Sequence, residues 1–166
     1  MSSDAAIPVL IGLGSNLCDP ALQVTKAIAA LSSLPQTRLI QASSLYQSLP
    51  QGPQDQDRFC NAVALLETRL TPAALLLALQ AIEQQSGRIK TRHWGERILD
   101  LDLLFYGQHT IRLHDPDLCI PHPHALSRDF VLIPALEICP DWRLPDGSAL
   151  SSKLDACLDH NLQRIE

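Results

Sequence analysis

Apolar runs of strand length alternate along the chain with stretches of helical spacing, and turn residues mark the joints. Ile7 to Gly14 is a short apolar run ending in glycines and predicts a first strand. Asp19-Pro20 then reads as an N-cap followed by proline at the first helical position, with apolar residues at helical spacing from Pro20 to about Leu34. Thr37 to Ser48 reads as a second strand, 51–58 as a polar loop and Phe59 to Leu70 as a third strand. Thr71-Pro72 repeats the cap-plus-proline device, and Gly87 predicts the stop of the helix that follows. A basic loop, 88–97, leads into an apolar strand ending near Gly107. This order, β-α-β-β-α-β, is the split-βαβ or ferredoxin-like α/β pattern with a mainly antiparallel sheet. Beyond it the pattern predicts a short strand around Ile111–Leu113, a Pro/His-rich loop, a helix or turn over Phe130–Ile138 and a weakly helical tail. No repeat or linker divides the chain, so one domain over 1–166 is expected, with a core of about 7–140 and a C-terminal extension over 141–166.

The strand in "RILDLDLLFYG" carries two carboxylates. Alternation sends Leu99, Leu101, Leu103 and Phe105 to one face and Ile98, Asp100, Asp102 and Leu104 to the other. Such a pair could lie on an ordinary wet strand face. Aspartate is disfavoured in strands, however, and two on one face repel unless a cation lies between them. Residues two apart advance a strand by about 6.7 Å, and side-chain rotation can bring the carboxylates around a pair of metals about 4 Å apart. Hard oxygen donors favour Mg²⁺, completed by water and phosphates.

Composition sharpens this reading. The net charge of −5 argues against general nucleic-acid affinity, yet Arg88, Lys90, Arg92 and Arg97 crowd one loop, as suits a small anionic ligand. Five scattered cysteines without a CxxC fit reduced thiols and a cytoplasmic location. No signal peptide or membrane span is expected. Aromatic residues are only 4% of the chain, so those placed in polar surroundings, such as Trp94, stand out. "GLGSN" lacks the features of a P-loop and reads as a structural turn. Cys119, His122 and His124 fit no standard zinc spacing.

Four blocks taken together carry a resemblance: "IGLGSNL", "ASSLYQSLPQGPQDQDRFCNAVALLET", "HWGERILDLDLLFYG" and "IPHPHALSRDFVLIPALEICP". In this order, over roughly Ile11 to Pro140, they resemble the 6-hydroxymethyl-7,8-dihydropterin pyrophosphokinase family of folate biosynthesis. The resemblance implies a ferredoxin-like sandwich and transfer of pyrophosphate from ATP to the pterin hydroxymethyl oxygen, with release of AMP. It implies that Asp100 and Asp102 hold two Mg²⁺ ions and that Arg88 and Arg97 join them in catalysis. ATP would be bound by Gln80, Glu83, Arg88, Lys90, Trp94, Arg97, Leu103, His122 and Arg128. The pterin would be held by Ser48, Pro50, Gln51, Gly52, Phe59, Asn61, Trp94, Asp100 and Phe130, the two phenylalanines sandwiching its ring. By the same resemblance Lys90 and Trp94 lie in a loop that closes over the site. The chain departs from the family's pattern at His93, Glu96, His124 and Gln51. No general base is evident beyond Asp102. A monomer acting on small molecules, with no nucleic acid or membrane partner, is the expectation. The alternatives are a catalytically silent ferredoxin-like anion-binding module and another metal-dependent nucleotide transferase or hydrolase.

Overall fold

Strand β1 (Ile7–Ser15) pairs antiparallel with β4 (Phe59–Thr68) on one side and with β5 (Asp100–Tyr106) on the other. Both β2 (Thr37–Ala42) and β3 (Tyr46–Ser48) pair with the far edge of β4, one after the other, and β8 (Gln163–Arg164) adds to β3. The expected second strand is therefore two strands, broken at Ser43–Leu45. The break has a physical reason: the Ser43 backbone and hydroxyl bond to the Val63 backbone, and Ser44 turns instead to a side chain on the last helix. The computed structural model describes residues 5–49, 55–87, 98–157, 159 and 161–165. The sheet order and the antiparallel pairings are those of the ferredoxin-like pattern.

Helices α1 (Pro20–Leu31) and α2 (Pro72–Gln85) pack on one face of the sheet, through Val24, Ala27 and Leu31 and through Leu75 and Leu79. They bury Val9, Ile11 and Leu13 of β1 and Leu101 and Leu103 of β5. Thr71 caps α2 as expected, its hydroxyl accepting from the Ala74 N–H at 3.2 Å, and Gly87 leaves the helix at φ +87°. Asp19 does not cap α1 with its side chain. It sits in a left-handed conformation at φ 64°, and only its carbonyl joins the helix, accepting from Gln23 N–H. The helix ends earlier than its apolar pattern, because Ser32, Ser33 and Leu34 tighten into i→i+3 bonds.

The opposite face is covered only in part. Helix α3 (Asp129–Ile138) lies there, packing Val131, Leu132, Ala135 and Ile138 on Leu10, Val63, Leu104 and Phe105. Phe105 thus departs from the expected alternation. Leu10 faces Phe105 while Ile11 faces Leu103, so Leu104 is an extra residue in β5, and Leu104 and Phe105 both turn toward α3. The Pro/His-rich segment contains one more strand than expected: β6 (Ile111–His114) and β7 (Asp117–Ile120) form a separate hairpin. The tail forms a 3-10 turn over Leu150–Ala156 that closes on α3.

A polar clamp fixes the far end of α3. Glu137 accepts from the Ser44 N–H, the Ser44 hydroxyl and the Tyr46 hydroxyl, the last at 2.5 Å. Burial alone would raise the Glu137 carboxyl, but those bonds and the nearby Arg164 charge outweigh it and hold it below its ordinary value. A carboxyl lowered in the folded state stabilises above its unfolded value, about 4.3, and the gain is lost as the pH falls below that. Melting temperature should therefore drop as the pH is lowered below that value, and the drop should be shallower in Glu137→Gln. Equal acid profiles for the two proteins would contradict the clamp.

Candidate active site

The open part of the α3 face has a glycine floor. Asp102 of β5 lies opposite Gly12 of β1, and Asp100 lies opposite Gly14. On the other side Gly14 faces Asn61 of β4, and Gly12 faces Val63. Two carboxylates are thus followed across the sheet by two positions without side chains. A Cβ on Gly12 would come within 3.3 Å of Leu104, and one on Gly14 within 3.4 Å of Asn61 Oδ1. Together with the ends of α3 and β3 this makes an open cleft with a cavity volume of about 100 Å³, lined by Gly12, Gly14, Asn61, Asp100, Asp102 and Arg128 among others. Phe59, Phe130, Ser48 and Leu49 also line it.

Arg128 precedes α3 and is buried to 8% exposure, with its guanidinium carbon 5.4 Å from the centre of the Phe130 ring. Its Nε–H is buried and has no partner among the described residues. Burial pushes the guanidinium below its ordinary value, and the charges of Asp102 and Asp100 restore only part of that. It remains a cation at neutral pH. A desolvated cation with an unused donor beside a cleft is suited to an anionic group that enters from outside.

His122 comes beside Asp102 through the bulge. The Leu104 carbonyl accepts from the His122 N–H at 3.0 Å, which brings the imidazole Nε2 to 3.8 Å from Asp102 Oδ1. His122 is nonetheless neutral at pH 7. Burial first, then the charges of Arg128 and His124, push it down to about 4 against the opposing pull of Asp100. Its Nδ1 accepts from the His124 N–H at 3.2 Å, so the neutral ring carries its proton on Nε2, on the Asp102 side.

Glu83 is on the other side of the strand. It is 5% exposed, and its carboxylate accepts from the Leu101 N–H at 2.8 Å. A solvated helix face, the ordinary reading of a helical glutamate, does not hold here. The carboxylate satisfies the amide lying between the two aspartates in β5. Glu83→Ala would orphan that buried amide and should cost about 1–3 kcal/mol of stability by denaturant melting, whereas an unchanged midpoint would contradict the role. Gln80 is exposed on α2, and the Leu103 side chain is buried under α1 and α2, so a ligand could meet only the Leu103 main chain.

The structure thus gathers Asp100, Asp102, Asn61, Ser48, Phe59, Phe130 and Arg128 at one cleft, with His122 beside Asp102. Gln80, Glu83 and the Leu103 side chain are not among the residues lining it. Pro50, Gln51, Gly52, Arg88, Lys90, His93, Trp94, Glu96 and Arg97 lie outside the described residues. The sequence pattern does not by itself single out Gly12 and Gly14. Their i, i+2 spacing is the same as that of the aspartates, which is the available signal. Nor does it single out Asn16, whose amide ties the end of β1 to Gln56 and Asp57 in the loop before β4, in keeping with a structural turn.

The donor set suits a hard cation held in part by its substrate. Among the described residues no three His, Cys, Asp or Glu side chains form a metal cage. Two half-exposed carboxylates on one strand face, opening on a cleft, are the kind of pair that binds Mg²⁺ and leaves its other positions to water and phosphate. Among the described residues no helix is long and apolar enough to cross a membrane.

Known proteins share both the sequence and the fold. A curated 2-amino-4-hydroxy-6-hydroxymethyldihydropteridine pyrophosphokinase from Pseudomonas aeruginosa is 48% identical over 95% of this chain and 96% of its own length. The one from Haemophilus influenzae is 43% identical over 96% of this chain and 98% of its own. Among solved structures, a Plasmodium falciparum HPPK-DHPS with pterin and p-hydroxybenzoate aligns over 99% of this chain at a TM-score of 0.75 and 14% identity. This chain spans 47% of that one, and the likeness bears on the fold alone. The model of the family 7,8-dihydro-6-hydroxymethylpterin-pyrophosphokinase matches residues 10–140, and with these relatives it shows that the chain belongs to that family.

Proposed function

We propose that this cleft is where the chain transfers pyrophosphate from ATP to the hydroxymethyl oxygen of 6-hydroxymethyl-7,8-dihydropterin, giving the pterin diphosphate and AMP in folate biosynthesis. The observation that carries the site assignment is the Asp100–Asp102 pair set against a glycine floor and facing a buried, under-bonded Arg128. Membership of the family carries the reaction and ATP as its co-substrate.

Each residue has a task in this reading. Phe59 and Phe130 take the flat pterin between their rings, and Asn61 reads its edge. This fixes the hydroxymethyl oxygen near the two aspartates. Arg128 supplies its unused donor to a phosphate oxygen, and His122 presents Nε2–H on the same side. The acceptor oxygen attacks the β-phosphorus, the bridging bond to the α-phosphate breaks, and AMP leaves. Among the described residues no general base is evident beyond Asp102. Asp100 and Asp102 would hold Mg²⁺, two ions in this reading, and the metal would neutralise triphosphate charge and acidify the hydroxyl. Arg88, Lys90, Trp94 and Arg97 are assigned to the nucleotide on the sequence resemblance, as are Gln80, Glu83 and the Leu103 main chain. Pro50, Gln51 and Gly52 are assigned to the pterin on the same ground. The chain acts as one domain, monomeric and cytoplasmic.

The test is incubation with ATP, Mg²⁺ and the dihydropterin. AMP and pterin diphosphate in equal amounts are expected. ADP or free phosphate as the nucleotide-derived product would overturn the reading.

A further inference from the structure

We infer that Ser48 is a positioning residue for substrate specificity: its hydroxyl holds the Asn61 amide in the orientation that the Phe59 carbonyl selects, with the acceptor Oδ1, and not the donor Nδ2, toward the cleft. Both residues are almost completely buried, at 1% and 4% exposure. Asn61 Nδ2 donates to Ser48 Oγ at 2.7 Å and lies 3.5 Å from the Phe59 carbonyl oxygen. That carbonyl decides the orientation. A flipped amide would set Oδ1 against the Phe59 oxygen, two acceptors face to face. With Nδ2 committed, Oδ1 is what remains, and among the described residues no group donates to it. Gly14 keeps it uncovered, since Oδ1 is the nearest heavy atom to where a Gly14 side chain would begin, at 3.4 Å.

An acceptor on a largely buried side chain, open to the cleft and without a protein donor, selects for a ligand that brings one. The ring edge lying against Asn61 therefore has to present an N–H. An edge with a ring nitrogen acceptor or a methyl group there would leave Oδ1 unsatisfied. The inference rests on the pterin reading of the cleft and adds to it how the amide is held and what it selects.

The experiment is a double-mutant cycle on KM for the dihydropterin. Ser48→Ala should raise that KM about tenfold, the size of one lost hydrogen bond, while KM for ATP stays within twofold. Ser48→Thr, which keeps the hydroxyl, should restore it. In an Asn61→Ala background, Ser48→Ala should add nothing, because its effect passes through Asn61. Dihydropterin analogues with each amino or ring N–H methylated in turn should include one that binds at least tenfold worse than the parent to the native protein, a difference lost in Ser48→Ala. An additive effect in the Asn61→Ala background would mean direct contact by Ser48 and would overturn the inference. So would failure of threonine to rescue, or the absence of any such analogue. If Asn61→Ala itself leaves the pterin KM unchanged, the pterin assignment of the cleft falls along with it.

Discussion

Asp100→Asn and Asp102→Asn each lower AMP release by at least about a thousandfold, a loss of about 4 kcal/mol of transition-state stabilisation. Each substitution keeps the size and hydrogen-bonding capacity of the side chain and removes only the charge. The carboxylates lie on one strand face across from Gly12 and Gly14, so the paired positions of β1 carry no side chain to replace a lost ligand. Stability should change far less. Removing one charge relieves the repulsion between the two carboxylates but also takes away part of their attraction to Arg128, and the two effects oppose each other. The expected result is a dead or nearly dead enzyme with a melting temperature close to that of the parent. Turnover retained in both variants would reject the metal assignment, and a collapsed fold would show that the pair is structural.

Arg128→Met has the second largest effect and the same divergence between activity and stability. In the folded protein the guanidinium is desolvated and its Nε–H unpartnered among the described residues. Its stacking over Phe130 is worth about 0.5–2 kcal/mol. Desolvating a charge costs several kcal/mol, so burial should dominate in the empty protein. Methionine then keeps most of the packing and removes the cost. A charge-assisted bond to phosphate is worth about 1.5–3 kcal/mol, so KM for ATP should rise by about ten- to a hundredfold while the melting temperature holds or increases. Arg128→Lys should rescue poorly, because an ammonium lacks the planar fork. An unchanged KM for ATP in Arg128→Met would remove Arg128 from the nucleotide site.

Much of this site is legible in the amino-acid sequence. The aspartate pair stands out because carboxylates are rare in apolar strands, and two residues of spacing places both on one face. Thr71-Pro72 and Gly87 announce α2 because caps are local chemistry, written in a few adjacent residues. Features that depend on pairing between distant segments are not legible in this way. The extra residue at Leu104 is a relation between β5 and β1, and it alone decides that Phe105 turns to the α3 face and that His122 bonds to the Leu104 carbonyl. The burial of Glu83 is likewise set by the edge of β5, out of reach of any reading of the helix by itself. Asp19 shows the limit of even a local signal. The residue type and the proline suit a cap, but the backbone enters the left-handed region and takes the carboxylate away from the helix amides. The glycine floor is hidden for a different reason. Gly12 and Gly14 are visible as a pair, but their importance depends on the aspartates facing them across the strand.

The most direct measurement of the central claim is paramagnetic broadening of backbone amide resonances by Mn²⁺, in the presence of an ATP analogue with a methylene between its α- and β-phosphates. That analogue blocks the bond the reaction breaks and keeps the complex intact. The account predicts selective loss of the amide signals of Gly12, Gly14, Asp100, Leu101 and Asp102, with Gln108 and Arg143 at the other end of the sheet unaffected, and no loss at β5 in Asp102→Asn. Broadening centred away from β5, or the same broadening in Asp102→Asn as in the native protein, would contradict it.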